Sequence, residues 1–152
     1  MNKTFDDCCL EDVSQTVQEL VRVLQIFERD EIKPLGFTTS QCYTLIHLKN
    51  NPHFTMQALS EKMNLDKSTM TRILNILERD GYLLRYKDQN DRRVVMARLT
   101  EKGLTATTQI ESSIHAYYLK IVENLPKGQV EDVLKAVSTL IDAFKKANPS
   151  CC

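Results

Sequence analysis

The sequence predicts a mainly α-helical protein that carries a single two-stranded β-hairpin. Only four glycines and four prolines occur among 152 residues, which leaves little turn material for a many-stranded sheet. Apolar residues recur at helical spacing along most of the chain, and only residues 82–99 change to a composition typical of strands. With 42% hydrophobic and 26% charged residues, the chain has the composition of a globular protein and not of a disordered one.

The first helix is expected over residues 10–33, where apolar side chains form one continuous face. Pro34 and Gly36 are expected to end it, because proline lacks an amide proton and glycine adopts the left-handed conformation found after helix ends. A second helix is predicted from Thr38, where the sequence fits a capping box, and is expected to end before Pro52.

Two further helices are joined by a tight turn of three residues. The first is expected over residues 55–63 and the second over residues 67–80. Asp66 is a suitable N-cap for the second of these helices, and Gly81 supplies a left-handed residue just after its end.

The rest of the chain predicts a hairpin and two long helices. Strands are expected over residues 82–86 and 94–99, on either side of a charged tip. A helix is expected over residues 100–124, and Pro126 is expected in the first turn of a last helix whose apolar face covers residues 130–144.

Two helices joined by a short turn and followed by a charged hairpin define a winged helix–turn–helix. Its second helix fits the major groove of DNA. The hairpin, called the wing, can reach the backbone or the adjacent minor groove with its tip. The formal net charge of zero hides a separation of charge along the chain. Residues 62–98 contain nine basic and five acidic side chains, whereas residues 1–32 contain three basic and eight acidic ones. The positive excess therefore coincides with the predicted DNA-reading element.

The candidate DNA contacts lie at the start of the second helix of this element and at the tip of the wing. Short hydroxyl side chains and an arginine near a helix N-terminus can contact both base edges and phosphates. The candidates are Lys67, Ser68, Thr69, Thr71, Arg72, Asp91, Arg92 and Arg93. In the alternative interpretation, the hydroxyls only cap the helix and the charged residues form a solvated surface.

Two parts of this element resemble the MarR family of transcriptional regulators. Residues 66–72 and 77–83 are similar to the family's helical core. Residues 91–93, Asp-Arg-Arg, are followed after five residues by Leu-Thr-Glu-Lys-Gly at 99–103, which resembles the family's wing signature, D-R-R and then L-T-x-x-G, without a gap. The resemblance spans nearly the whole chain, so that residues 1–152 are expected to form a single domain of this kind.

The resemblance implies a homodimer with a two-fold axis on a palindromic site in double-stranded DNA. Helices in about 10–33 and 100–146 would interlock between subunits, and a winged helix–turn–helix lobe of about 38–99 would read each half-site. The apolar faces of these outer helices also favour a homodimer, because a single chain of this size has few places to bury them. The resemblance places Ser68, Thr69, Thr71 and Arg72 in the major groove and Arg92 in the minor groove, with Asp91 orienting the wing arginines.

Four of the five cysteines form two adjacent pairs near opposite ends of the chain, Cys8-Cys9 and Cys151-Cys152. Adjacent cysteines fit neither the C-x-x-C spacing of zinc sites nor a secreted disulfide framework. If the first and last helices interlock between subunits, Cys8-Cys9 of one subunit can approach the pair Cys151-Cys152 of the other. The four thiols could then bind As(III), Sb(III), Hg(II) or Zn(II), or form disulfides between subunits. Cys42 is either a small core residue or a further sensing thiol.

The expected function is therefore a repressor that a thiophilic metal, metalloid or oxidant releases from DNA. A regulator released by a phenolic or other organic ligand is one alternative, and a thiol-based metal-binding or redox protein without DNA function is another. The sequence contains no G-x-S-x-G, P-loop, G-x-G-x-x-G or C-x-x-C motif, so no enzyme is expected. The chain lacks an apolar run of about 20 residues and a signal-peptide core, which predicts a cytoplasmic protein without a membrane partner.

Overall fold

The structure, a computed structural model, describes the backbone of residues 5–147 and the side chains of residues 9–147. The helices of this part are α1 (Phe5–Phe27), α2 (Thr39–Asn50), α3 (Met56–Lys62), α4 (Lys67–Arg79), α5 (Glu101–Asn124) and α6 (Val130–Ala147), and the strands are β1 (Leu83–Lys87) and β2 (Val95–Leu99). The predicted winged helix–turn–helix with flanking helices is confirmed. The chain forms two compact units, which divide between Thr39 and Ser40. None of the described helices has an apolar stretch long enough to cross a membrane.

The first unit consists of α1 and the turns that follow it. α1 begins before the predicted residue 10, and after Phe27 the chain continues as a π-helical segment, Glu28–Ile32, and a 3-10 turn, Lys33–Leu35. The 3-10 turn contains Pro34 at its start, where the missing amide proton removes no helical hydrogen bond. Gly36, with a φ of 82°, ends this segment as predicted.

The second unit has a core built from α2, α3, α4, both strands and the first half of α5. Its buried apolar members are Cys42, Leu45, Leu48, Leu59, Met70, Ile73, Leu74, Leu77, Leu83, Met96, Ala97, Ile110 and Ile114. Thr44 and Thr107 are also buried, and each hydroxyl donates to the backbone carbonyl four residues earlier. These two polar groups therefore cost little to bury, because their hydrogen bonds are satisfied.

The hairpin is anchored to the start of α3. β1 and β2 pair antiparallel, with Leu83 opposite Leu99. Thr55, the N-cap of α3, forms an isolated bridge with Met96 of β2. The wing is therefore attached to the helical pair along the inner edge of the hairpin.

Two polar contacts join α2 to α5. Lys49 Nζ lies 2.5 Å from Glu111 Oε2, and the hydroxyls of Tyr43 and Tyr118 are 3.1 Å apart. Burial, and after it the hydrogen bond with Tyr118, raise the pKa of the Tyr43 phenol above its ordinary value.

The N-terminus of α5 contacts the turn between α4 and β1. Thr100 Oγ1 donates to Gly81 O at 2.7 Å, and Thr100 N donates to Tyr82 O at 3.1 Å. The Lys102 ammonium lies 4.4 Å from the centre of the Tyr82 ring. Gly103 approaches so closely that a Cβ atom there would lie 1.9 Å from Tyr82 O. This junction joins the end of α4, both strands and α5 at one point.

The prediction for the start of the last helix was wrong. Pro126 lies in the connecting turn, where its carbonyl accepts a hydrogen bond from Gln129 N at 3.1 Å, and α6 begins only at Val130. The reason is Gly128, whose φ of 80° is incompatible with a right-handed helix.

We expect Gly103→Ala to lower the free energy of unfolding by roughly 2 kcal/mol, because the new methyl group would displace the Tyr82 carbonyl. This expected net loss already includes the gain of about 1 kcal/mol that alanine provides over glycine within a helix. Urea denaturation followed by circular dichroism measures the difference.

The matched control is Thr105→Ala, two residues further along the same helix, where the side chain is exposed. It should change stability by no more than about 0.5 kcal/mol. A Gly103→Ala protein as stable as this control would show that the junction is not tightly packed.

Candidate nucleic-acid interface

The turn between α3 and α4 is set by one left-handed residue and two hydrogen bonds. Asn64 has a φ of 50°, a conformation that asparagine tolerates better than most residues. Leu65 N donates to Ser60 O at 3.0 Å, and Ser60 Oγ donates to Leu65 O at 2.5 Å. The chain is thereby redirected so that α4 starts at Lys67.

The Asp66 carboxylate caps α4, as predicted. Its Oδ1 accepts from Thr69 N at 2.9 Å and from Ser68 Oγ at 2.5 Å, and its Oδ2 accepts from Thr69 Oγ1 at 2.6 Å. The hydrogen bond from Ser68, followed by those from Thr69, holds the pKa of the Asp66 carboxyl well below its usual range. Asp66 is therefore ionised at neutral pH.

The other candidates on α4 lie within its first two turns. Thr71 Oγ1 donates to Lys67 O at 2.7 Å. The side chains of Lys67 and Arg72 are exposed, and neither forms an ion pair or a side-chain hydrogen bond within the described part of the chain. Both cations are therefore available to an external partner.

Two aspartates order the tip of the wing. Asp88 Oδ1 accepts from the amides of Asn90 and Asp91 at 2.8 and 2.9 Å. Asp91 Oδ1 in turn accepts from Arg93 N at 3.0 Å and from Arg93 Nε at 3.2 Å, which lowers the pKa of the Asp91 carboxyl. Arg92 is exposed and has no such partner among the described residues. Asp91 therefore orients one of the two wing arginines, Arg93, and leaves Arg92 free.

The start of α4 and the wing share one surface. Lys67, Thr71 and Arg93 border an open pocket of about 600 Å³ between α3, α4 and the wing. Met70 and Val95 contribute apolar walls. Three of the residues that the sequence predicts as DNA contacts thus lie around a single depression.

An ion pair between the end of α4 and the wing was missed by sequence reasoning. Glu78 Oε2 accepts from Arg85 Nε at 2.9 Å, and Glu78 Oε1 accepts from Arg85 N, also at 2.9 Å. These hydrogen bonds lower the pKa of the Glu78 carboxyl. Opposite charges on either side of the Gly81 turn were the available signal, but the sequence does not show that both side chains lie on the same side of it.

The structure describes two of the five cysteine side chains. Cys42 is completely buried, and burial raises the pKa of its thiol to about 11. Cys9 is exposed on α1. The side chain of Cys8 and the pair Cys151-Cys152 lie outside the described residues. Within the described residues there is no group of three or more His, Cys, Asp or Glu side chains that could hold a metal ion.

Residues 37–95, which contain the helix–turn–helix and most of the wing, match the MarR family. Over 138 residues the chain is 22% identical to the HTH-type transcriptional regulator BilQ of Clostridioides difficile (strain CD3). This alignment covers 91% of the chain and 93% of BilQ.

The fold is similar to solved structures of DNA complexes. FabT of Streptococcus pneumoniae in complex with DNA has a TM-score of 0.77 and 22% identity, covering 91% of this chain and 99% of that one. A mutant of MarR from E. coli complexed with operator DNA has a TM-score of 0.73 and 21% identity, covering 85% and 95%. At these identities the structural similarity establishes the fold.

We expect Glu78→Gln to lower the free energy of unfolding at pH 7 by about 1 kcal/mol, because glutamine cannot form the charged hydrogen bonds to the Arg85 guanidinium. The folded protein holds the pKa of Glu78 below its unfolded value of about 4.3. The ion pair therefore stabilises the fold above that pH and is lost on further acidification. The difference between wild type and variant should therefore shrink as the pH falls below about 4.3.

Chemical denaturation across this pH range measures the effect. Glu123→Gln, which removes an exposed carboxylate near the end of α5, is the control and should show almost no difference at any pH. A stability difference for Glu78→Gln that persists unchanged in acid would argue against the ion pair.

Proposed function

The chain belongs to the MarR family, and we propose that it is a homodimeric repressor that binds a palindromic site in double-stranded DNA. As a member of this family it is a DNA-binding transcriptional regulator and not an enzyme. The structures of FabT with DNA and of a MarR mutant with operator DNA, which have the same fold, support a duplex as the partner.

The observation that carries this proposal is the set of unpaired cations at the start of α4 and at the tip of the wing. Lys67, Arg72 and Arg92 are all exposed and have no carboxylate partner among the described residues. Most other arginines of this unit are paired, as Arg79 is with Asp80 and Arg85 with Glu78. Charged side chains left free on a helix and on a hairpin fit the major groove and the adjacent backbone or minor groove.

Exposed apolar faces support the homodimer. α6 has no buried residue, and Leu134, Val137, Ile141 and Phe144 lie on one face of it at helical spacing, between 41% and 64% exposed. The second half of α5 and most of α1 also expose large apolar side chains. Such apolar faces are costly to leave in water, and a second copy of the chain would cover them. The resulting dimer would have two-fold symmetry, which matches the symmetry of a palindromic site.

The proposal includes release from DNA by a thiol-reactive inducer. Cys9 is exposed and adjacent in sequence to Cys8, so a soft ion or an oxidant can reach this end of α1. The pair Cys151-Cys152 would supply the remaining sulfurs from the partner subunit. Cys42 has no part in this sensing, because a buried thiol with a pKa of about 11 contains almost no thiolate at neutral pH.

We expect Arg92→Ala to weaken DNA binding by roughly 1–3 kcal/mol, because a free guanidinium at the wing tip would be lost from the groove. Fluorescence anisotropy with labelled fragments of the protein's own promoter, titrated at several salt concentrations, measures the affinity. The same titration gives the stoichiometry, which should be two chains per site.

Arg22→Ala is the control for charge alone, since Arg22 is an exposed arginine on α1, outside the predicted interface. It should leave affinity and salt dependence almost unchanged. Salt-independent or absent DNA binding by the wild type would contradict the proposed function. An Arg92→Ala protein with wild-type affinity would show that this arginine does not contribute to DNA binding.

Replacing Cys8, Cys9, Cys151 and Cys152 together by serine should leave DNA binding intact and abolish its loss on addition of As(III), Hg(II) or an oxidant. The reason is that no thiolate would remain at either end of the chain to react. Anisotropy of preformed complexes on addition of each reagent measures the response.

Cys42→Ser is the companion variant. It should keep the response and lose roughly 1–3 kcal/mol of stability, because a hydroxyl would replace a completely buried thiol. A quadruple variant that still releases DNA would place the sensing site elsewhere in the protein.

A further inference from the structure

We infer that Asp66 determines which bases α4 accepts, by fixing the hydroxyls of Ser68 and Thr69 as hydrogen-bond acceptors toward the DNA. At the positions these hydroxyls face, the contacted strand then carries an amino base, adenine or cytosine, and not a keto base, guanine or thymine. This inference rests on the proposed DNA-binding function and deepens it.

The first step concerns the protons of the two hydroxyls. Ser68 Oγ lies 2.5 Å from Asp66 Oδ1, and Thr69 Oγ1 lies 2.6 Å from Asp66 Oδ2. An ionised carboxylate has no proton, so both hydroxyls must donate in these bonds. Each hydroxyl has one proton, and only its lone pairs remain for another partner.

Thr71 extends the same pattern along the helix. Its hydroxyl donates to Lys67 O at 2.7 Å, so its proton is also committed. The polar surface of the first two turns therefore presents hydroxyl oxygens that accept, beside Lys67 and Arg72, which only donate. Phosphate oxygens cannot accept from a hydroxyl whose proton is engaged, so phosphate contacts fall to the two cations.

The second step concerns the major groove. Adenine N6 and cytosine N4 are donors at the place where guanine O6 and thymine O4 are acceptors. A hydroxyl oxygen that can only accept is satisfied by the amino group, whereas against a carbonyl two acceptors face each other without a proton between them. The second arrangement leaves buried polar groups unpaired, which is costly.

Asp66→Asn separates the reading role of this residue from its capping role. Asparagine is as good an N-cap as aspartate, because its amide oxygen can accept from Thr69 N. Its amide nitrogen would replace Oδ2 and donate to Thr69 Oγ1. The Thr69 proton would then be free, and the hydroxyl could donate to a keto base.

The test begins with selection of binding sites from a randomised duplex library by the wild-type protein and by Ser68→Ala and Thr69→Val. Positions that lose their base preference in these variants are the ones the two hydroxyls face. Anisotropy titrations then compare the selected duplex with single replacements of adenine by guanine or of cytosine by uracil, each with its matching complement, which exchange the amino group for a carbonyl.

We expect such a replacement to weaken wild-type binding roughly tenfold. In the Ser68→Ala and Thr69→Val proteins the same replacement should have little effect at the respective position. The Asp66→Asn protein should prefer the keto base at the Thr69 position and keep the amino base at the Ser68 position. Thermal unfolding confirms that the variants are folded.

Several outcomes would overturn the inference. One is a wild-type preference for guanine or thymine on the contacted strand at either position, and another is no loss of preference in Ser68→Ala and Thr69→Val. A folded Asp66→Asn protein with unchanged base preference would remove Asp66 as the determinant. Failure of the wild type to select any sequence would instead overturn the proposed DNA function, so the two failures are distinguishable.

Discussion

The close approach of Gly103 to the carbonyl of Tyr82 is the constraint on which the arrangement of the second unit depends. At this point the end of α4, the start of β1, the end of β2 and the start of α5 meet, and a Cβ atom on residue 103 would lie 1.9 Å from the carbonyl oxygen. Thr100 adds two hydrogen bonds across the same junction. Because backbone packs against backbone there, the direction of α4 and the position of the wing cannot vary independently of α5.

This rigid frame lets the protein divide its arginines into fixed and free ones. Arg85 is fixed by Glu78 and Arg93 by Asp91, and each pairing orders a part of the wing. Arg72 and Arg92 are left without such partners among the described residues. A guanidinium without a carboxylate partner keeps its full charge for a phosphate or a base. Because the element that carries it is already ordered, little conformational entropy would be lost on binding. The paired arginines of the wing therefore order it, and its unpaired Arg92 keeps a charge available to an external partner.

Much of this arrangement follows from the sequence, because it depends on local signals. Helical periodicity, the Asp66 cap and the Gly81 turn predict the order and the approximate ends of the elements from α2 to β2. The spacing of the wing signature predicts the family. What could not be predicted depends on which groups meet in space. The sequence does not show that Asp91 pairs with Arg93 and not with Arg92, because both arginines follow it within two residues and carry the same charge.

The missed start of α6 has a similar cause. A proline near a helix start is a frequent pattern, but here the glycine two residues later has a positive φ and delays the helix. The orientation of the Ser68 and Thr69 hydroxyls is also invisible in the sequence, since the same residues would cap a helix with their protons directed elsewhere. Local chemistry therefore predicts which residues the proposed interface contains, and the structure shows which of their hydrogen-bonding groups are still available.

The contacts between α2 and α5 extend the same rigidity away from the proposed DNA-binding surface. Lys49 and Glu111 pair on one turn of α5, and Tyr118 meets Tyr43 two turns later. Beyond this point α5 exposes Leu119, and no residue of its second half after Ile114 is buried. The first half of α5 is therefore held by α2 and by the junction at Gly103, while the part beyond Tyr118 exposes apolar side chains. In the proposed dimer, a shift in the packing of this exposed part would be passed to the strands and α4 as a unit, since the junction at Gly103 resists local adjustment.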